Sequence, residues 1–297
     1  MPRKKRNNSS NRMSSRKAKT ESSARATGTA PASAQAAVLD EQKLQHLYSS
    51  MLKCQMLYRI AQEASTHQKM LSGREAVLAG ALSHSRRDDY VATAQNAPLV
   101  GLLRGDAPGS ILAQLFSPDA EANHDAEGPS GQDALIKAAG AARDLLGSGR
   151  VTLAFCGEDA AALGFQLEAL ALAAKHKAPV VCLTETTLSR LGADDQSRGK
   201  KKKSAECPLP VIVVDGADVV AVFRVTQEAV RRARHGQGPS LIQCVMPDEG
   251  PHDPLVFLEQ YLRRKNVWSD EWQKAVADEF AAQLEQALPS APKAPTT

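Results

Sequence analysis

Residues 151–185 read VTLAFCGEDAAALGFQLEALALAAKHKAPVVCLTE, with two short apolar runs on either side of an Ala-rich and Leu-rich segment. The runs Val151–Cys156 and Pro179–Leu183 have the length and continuous apolar character of strands that are buried on both faces. Between them, a turn over Gly157–Asp159 leads into a predicted helix, Ala161–His176. Two buried strands joined by a helix predict a parallel βαβ unit.

The alternation of strand and helix continues on both sides of this unit. Further strands are predicted over Asp88–Ala94, Val211–Val214 and Leu241–Val245. Predicted helices include Glu75–Leu82, a segment near Ile111–Phe116, Gln132–Leu146, Asp218–Arg234, Pro254–Lys265 and Asp270–Leu288. This order predicts an α/β fold, with a doubly wound, mostly parallel sheet and helices on both faces.

A long helix is expected before these elements. From Asp40 to about Lys69, apolar residues recur at intervals of three and four, the spacing of one face of an amphipathic helix. The apolar face is broader than a helix in solvent needs. We therefore expect a subunit contact along this helix.

Composition divides the chain into one domain and two tails. Residues 1–38 are poor in apolar side chains and rich in Ser, Asn, Lys, Arg and Ala, so they are predicted to be a disordered tail. The end of the chain, residues 290–297, is rich in Pro and is also predicted to be disordered. The folded domain is expected to span residues 39–289, a length that suits a single core.

The charge of the chain is unevenly distributed. The whole chain has a formal net charge of +4, and residues 1–25 contain nine basic residues against Glu21 alone, a net of +8. Subtracting this +8 from +4 leaves −4 for residues 26–297. The basic character belongs to the tail, so it gives no support for a specific nucleic-acid-binding fold.

Cysteine usage and hydropathy suggest the compartment. The five cysteines are odd in number, far apart and never in a CxxC pair, which disfavours a disulfide framework and a zinc site. No run of eighteen apolar residues is available for a membrane span, and the N-terminus lacks the apolar block of a secretory signal. A mitochondrial presequence is the competing interpretation, but residues 1–24 offer little apolar helical face. We expect a cytoplasmic protein that does not associate with membranes.

The predicted turn after the first strand is a candidate binding site. In open α/β sheets, ligands lie beyond the carboxyl ends of strands, where helix N-termini point their N–H groups. Gly157 allows the backbone to approach a phosphate, and Glu158 supplies a carboxylate for a hard cation such as magnesium. Turns with Gly and an acid are also common without such a ligand. The turn alone leaves both interpretations open.

Several segments of the chain occur in the order of a known family. They are Gly73–Val77 (GREAV), Asp89–Gly105, Ser130–Gln132 with Ala138–Ala142, Phe155–Ala161 (FCGEDAA), Glu168–Leu170, Val213–Asp218 (VVDGAD) and Asp253–Leu255 (DPL). Together they resemble the alpha subunit of the thiamine diphosphate-dependent 2-oxoacid dehydrogenases, the decarboxylating component of pyruvate and branched-chain complexes. The resemblance covers about residues 40–290.

This resemblance implies a function and partners. The implied activity is oxidative decarboxylation of a 2-oxo acid with transfer of the acyl group to a lipoyl arm, and the implied cofactors are thiamine diphosphate and magnesium. A dehydrogenase beta subunit is the expected partner. A lipoyl acyltransferase component and a second copy of the chain are further candidates.

The resemblance also assigns site residues one by one. The metal ligands would be Glu158 in the turn and Thr187 after the next strand, and His252 is the candidate active-site histidine. The candidate cofactor-binding residues are Gly157, Glu158, Asp159, Ala160, Thr187, Gln132 and Asn96. Gln132 is placed to line the cofactor channel or to cap its helix, and His252 is equally a solvated turn residue.

At three of these positions the chain departs from the family pattern. Thr187 stands where the family has an Asn metal ligand, and a hydroxyl is a weaker neutral ligand for magnesium than an amide carbonyl. Asp159 stands where the turn has Gly, and adds negative charge beside the expected diphosphate. The run Gln95–Pro98 replaces the family's Tyr-Arg-x-His and therefore lacks its bidentate arginine.

Two hypotheses of different classes follow. The first is an enzyme subunit that holds the diphosphate and magnesium for a beta subunit. The second is a catalytically inactive paralogue that keeps the fold and serves as a structural or regulatory partner, with no cofactor. The three departures favour the second hypothesis.

Overall fold

The computed structural model describes residues 39–63, 73–93, 96–116, 131–157, 163–190, 209–247 and 253–287, with backbone only at 131–133 and 163–167. Both predicted disordered tails, 1–38 and 290–297, lie outside these ranges, so those predictions stay untested.

Helices and strands alternate along the described chain, as the sequence predicted. In order they are α1 (Glu41–Glu63), α2 (Glu75–Leu82), β1 (Tyr90–Thr93), α3 (Ala97–Leu103), α4 (Pro108–Leu115), α5 (Gly131–Asp144), β2 (Thr152–Phe155), α6 (Leu163–Lys175), β3 (Val180–Thr187), β4 (Val211–Asp215), α7 (Val219–Arg234), β5 (Ser240–Met246), α8 (Pro254–Arg264) and α9 (Asp270–Ala287).

The strands form one parallel sheet. Within the described ranges it has five strands in the order β1-β2-β3-β5-β4, and every neighbouring pair is parallel. The βαβ unit read from residues 151–185 is present, with Thr152 paired to Val180 and Phe155 to Leu183. The predicted α/β fold with a parallel sheet is confirmed.

Helices cover both faces of the sheet. Leu153, Val181 and Ile242 face a core built with residues of α2, α4 and α7. Their neighbours Ala154 and Cys182 point the other way, into a second core built with α5 and α6. This division follows from the two-residue period of a strand and explains why the strands are apolar at every position.

The long helix α1 is buried within its own chain. It packs against α2, α3, α8 and α9, and Leu47, Met51 and Leu57 have no exposed surface. The breadth of its apolar face is therefore used inside the domain, which removes the reason for predicting a subunit contact there. None of the described helices is long and apolar enough to cross a membrane.

Strand β3 is longer than predicted. The apolar run ends at Leu183, but the ladder with β5 continues to Thr187, which pairs with Met246. The added residues are largely polar, and their strand conformation comes from pairing with β5 rather than from apolar character. The candidate residue Thr187 thus lies at the end of a strand and not in a loop.

A buried ion pair joins the starts of two strands to the end of α7. The Arg234 guanidinium, near the end of α7, donates from Nη2 to Asp89 Oδ2 at 2.7 Å and from Nη1 to Asp89 Oδ1 at 3.0 Å. Asp89 also accepts from the backbone N–H groups of Arg86 and Val151. Burial alone would raise the pKa of Asp89, but these donors lower it overall. The carboxylate therefore ties the start of β1, the start of β2 and α7 together.

Removing this carboxylate tests its structural role. We expect Asp89→Ala to lower the free energy of unfolding by about 3–5 kcal/mol, because the Arg234 charge stays largely buried without its partner. Urea unfolding measures the change. The control is Glu228→Ala, which removes the exposed pair of Glu228 with Arg231 and should leave the midpoint nearly unchanged. Equal midpoints for the two variants would contradict this role.

Candidate functional site

The candidate site lies where the parallel strands end. Because all described strands point the same way, their carboxyl ends meet at one edge of the sheet. Gly157 follows β2, Thr187 ends β3, and Pro247 follows β5. The structure thus brings Gly157 and Thr187, two of the residues assigned from the sequence, to the same edge.

Gly157 lies just after β2, at the first position of the predicted turn. Its φ of +65° lies in the left-handed region, which glycine adopts without the steric cost of a Cβ. The Gly157 carbonyl accepts a hydrogen bond from the N–H of Glu185 at 3.1 Å. The backbone at Gly157 therefore lies directly beside Glu185 in β3.

Thr187 has its hydroxyl engaged locally. Its backbone continues the ladder with β5, and its Oγ1 lies 3.0 Å from the Oγ of Ser189. Strand alternation places the Thr187 side chain on the same face as Glu185 and opposite to Thr186. A hydroxyl here can approach a ligand at the edge only as a weak neutral donor or acceptor.

Asn96 has a structural position at the start of α3. It is 7% exposed and adopts φ 60°, a left-handed conformation that Asn tolerates better than most residues. As the N-cap residue of α3, it makes no side-chain capping hydrogen bond. Its predicted role in cofactor binding stays a prediction.

The remaining assigned residues are not described in atomic detail. Glu158, Asp159, Ala160 and His252 lie outside the described ranges, and Gln132 is described only as backbone within α5. Their roles stay predictions: Glu158 as a metal ligand, Asp159 and Ala160 as cofactor-binding residues of the turn, Gln132 as a residue of the cofactor channel, and His252 as the active-site histidine.

An ion pair at this edge was not foreseen from the sequence. The guanidinium of Arg74, just before α2, lies 2.7 Å from a carboxylate oxygen of Glu185, and both side chains are about nine-tenths buried. Arg74 belongs to the GREAV segment quoted above, but nothing in that segment indicates its partner, which lies 111 residues later in the numbering.

Beside Arg74, Glu75 is a buried acid. It is 2% exposed, and its Oε2 has no hydrogen-bond partner among the described residues. Burial is the main reason that its pKa rises to about 7, and the charge of Asp253 adds to the rise. Asp253 itself accepts hydrogen bonds from Gln55 Nε2 and from the N–H of Leu255, at the start of α8.

The cysteines near this edge are packing residues. Cys156 and Cys182 are buried with their sulfur atoms 3.4 Å apart, and Cys244 is also buried. Hydrogen bonding to Cys156 and burial raise the pKa of Cys182, and burial raises that of Cys244. Protonated, inaccessible thiols are poor nucleophiles and poor metal ligands.

Only part of the predicted magnesium site lies within the described residues. Among them no group of three or more His, Cys, Asp or Glu side chains is placed to hold a metal ion. At the end of β3, the carboxylate of Glu185 is paired with Arg74, and Thr187 offers only a hydroxyl. The other predicted ligand, Glu158, lies outside the described residues, so the magnesium site stays a prediction.

Comparison with known proteins identifies the family. The model of the dehydrogenase E1 component family matches residues 42–253. This chain belongs to that family. The resemblance to alpha subunits of thiamine diphosphate-dependent 2-oxoacid dehydrogenases is confirmed, and the parallel sheet is consistent with their fold.

Several curated relatives of this E1-family chain are alpha subunits of pyruvate dehydrogenase. The chloroplastic subunit alpha-3 of Oryza sativa subsp. japonica is 25% identical over 327 residues, covering 90% of this chain and 76% of the rice chain. The subunit of Porphyra purpurea is 26% identical over 313 residues, covering 86% and 90%. That of Bacillus cereus is 28% identical over 189 residues, covering 54% and 51%.

Glu75 gives a pH-dependent test of the site's supporting structure. Because its pKa is raised in the folded protein, the native state binds more protons than the unfolded chain between pH 4.5 and about 7. Stability should therefore fall as pH rises through this window, by about 3 kcal/mol if Glu75 acts alone. Glu75→Gln should raise the thermal midpoint at pH 8 and change it little at pH 4.5. An equal shift at both pH values would show that Glu75 is not titrating as described.

Proposed function

We propose that this E1-family chain is an alpha-type subunit in which the binding of thiamine diphosphate and magnesium is weakened or lost. In this proposal it acts as a structural or regulatory partner of a dehydrogenase beta subunit. The substitution at the end of β3 carries the proposal. Thr187 stands where the family resemblance gives an Asn metal ligand, and its hydroxyl makes a hydrogen bond with the hydroxyl of Ser189.

Charge supports the same conclusion. Asp159 adds a negative charge to the turn, and one like-charge contact at about 5 Å costs roughly 3 kcal/mol at an effective dielectric of 20. The run Gln95–Pro98 contains no arginine to offset it. Arg74 is close to this edge, but Glu185 already neutralises it in a largely buried pair. A dianionic diphosphate would therefore meet more repulsion and less attraction than the family pattern provides.

The turn favours a second candidate, an active alpha subunit. Gly157 keeps the left-handed conformation of a tight turn, and Glu158, a carboxylate suited to magnesium, follows it directly in sequence. When bound, thiamine diphosphate would supply the decarboxylation chemistry, with acyl transfer to a lipoyl acyltransferase component. In this case the chain's task would be to hold the diphosphate end for the beta subunit.

Calorimetry separates the two candidates. The purified chain is titrated with thiamine diphosphate in excess magnesium, alone and together with a co-purified dehydrogenase beta subunit. We expect no binding tighter than about 10 μM, equivalent to about −7 kcal/mol, in either sample. Tighter binding that Glu158→Ala abolishes would establish the active candidate instead.

Restoring the family residues provides a gain-of-function test. The double variant Thr187→Asn with Asp159→Gly should bind thiamine diphosphate with magnesium at least about tenfold more tightly than the natural chain, because it regains an amide ligand and loses a repulsive charge. In the matched control, Thr186→Asn replaces Thr187→Asn, on the opposite face of β3. Equal affinities in the two double variants would contradict the role assigned to position 187.

A further inference from the structure

The amino edge of the sheet lies at the opposite end of the strands from the candidate site. It consists of the loops that lead into β1, β2, β3 and β5 and of the helix ends beside them, residues 83–89, 104–106, 143–151, 175–179 and 228–239. Hydrogen bonds join neighbouring loops: the N–H of Tyr90 donates to the carbonyl of Val151, and that of Thr152 donates to the carbonyl of Pro179. Adjacent strands lie about 4.8 Å apart, so this edge extends for about 14 Å across the four strands.

Basic side chains dominate the amino edge. Its residues include ten Lys and Arg against five Asp and Glu, a net charge of +5. The exposed acids Asp88, Asp106 and Asp144 are already included in this number. The end of α9 contacts Gly109 beside this edge and adds Glu285, which still leaves +4.

Much of this positive charge is not neutralised within the described chain. Two of the five acids are already paired with two of the basic residues. Within the described ranges, the exposed side chains of Arg86, Arg87 and Lys177 form no ion pair and no hydrogen bond. Arg143 and Lys175 lie in the last turns of helices, where the helix dipole favours a cation. Arg86 and Arg87 lie in a loop beyond the last turn of α2, so a helix dipole does not account for them.

The backbone at Lys177 also indicates a role for its charge. Its φ is +51°, in the left-handed region that follows many helices and that Gly or Asn usually occupies. The other positive-φ positions of the amino edge are all glycines, at Gly147, Gly149, Gly236 and Gly238. A lysine at position 177 is therefore more strained than the glycine that the chain uses elsewhere. Its exposed ammonium group is the feature that a glycine would not supply.

The size and charge of this edge fit an acidic polypeptide better than a nucleic acid. An extended chain advances about 3.3 Å per residue, so about five residues span the edge. Guanidinium groups bind carboxylates in bidentate geometry. Nucleic acids bind by stacking on aromatic side chains, and Tyr90 is the one exposed Phe, Tyr or Trp among the described residues of this edge. Since residues 26–297 have a net charge of −4, those outside the edge have −9, which repels a long polyanion.

We propose that the amino edge binds an acidic segment of a partner protein, a run of about five Asp or Glu residues in extended conformation. Its carboxylates pair with Arg86, Arg87, Arg150 and Lys177. Because the edge lies at the far end of the strands from the candidate cofactor site, this binding does not depend on thiamine diphosphate.

The probe is a fluorescent peptide of about twelve residues with five consecutive Glu, flanked by Gly and Ser and carrying a photoreactive benzophenone. Fluorescence polarisation with the full chain should show saturable binding at about 50 mM salt. After illumination, mass spectrometry should find cross-links on residues 83–89, 143–151 and 175–179. The competing cationic segment is residues 1–25, with a net charge of +8. Cross-links confined to that segment would overturn the proposal.

Two variants test the named cations. Arg87→Glu and Lys177→Gly together should weaken binding of the acidic peptide by about tenfold or more. Lys177→Gly alone should weaken binding and keep or raise the thermal midpoint, because glycine fits the left-handed backbone. Loss of binding with an unchanged fold therefore separates the charge of Lys177 from any structural role.

The matched control is Lys274→Glu, which reverses an exposed charge on α9 outside the amino edge and should leave binding unchanged. A peptide with Gln in place of every Glu should bind at least about tenfold more weakly than the acidic peptide. The proposal is overturned if the two peptides bind equally, if neither binds, or if the double variant binds like the natural chain. Tighter binding of an oligothymidylate of the same length would also overturn it, in favour of a nucleic acid.

Discussion

The parallel ladder between β3 and β5 is the constraint on which the described structure depends. It runs from Val181 paired with Ser240 to Thr187 paired with Met246, and places these strands at the centre of the sheet. Parallel pairing requires crossover connections, so helices must cover both faces. It also gathers the carboxyl ends of the strands at one edge. The position of Gly157 beside Glu185 follows from the neighbouring ladder between β2 and β3, and the Arg74 guanidinium lies 2.7 Å from the Glu185 carboxylate.

The fold could be predicted from the sequence because the patterns that mark strands and helices are local. Continuous apolar runs mark β2 and the first half of β3, and three-and-four spacing marks α1. The second half of β3 was missed because its polar residues owe their conformation to β5. The pairs Arg74–Glu185 and Asp89–Arg234 were missed because their partners are far apart in sequence. The helices that pack against α1 also lie far from it in sequence, so the sequence could not distinguish this packing from a subunit contact.

Local sequence patterns likewise indicate the structural setting of some site residues and not of others. Gly157 has the left-handed backbone conformation that glycine adopts without the steric cost of a Cβ, and its role in cofactor binding stays a prediction. Asn96 lies buried in a left-handed conformation at a helix start, which spacing does not reveal, and its cofactor-binding role also stays a prediction. The result is a family scaffold whose strand ends are held by internal ion pairs and backbone hydrogen bonds.

The most direct test of this account is the paramagnetic resonance signal of free manganese, which takes magnesium's oxygen ligands. The signal is followed as thiamine diphosphate is added to the full chain, with a matched sample that contains no protein. We expect the same free-manganese signal in both samples at thiamine diphosphate concentrations well below about 10 μM. A protein-dependent loss of the signal that requires thiamine diphosphate, and that Glu158→Gln removes, would contradict it.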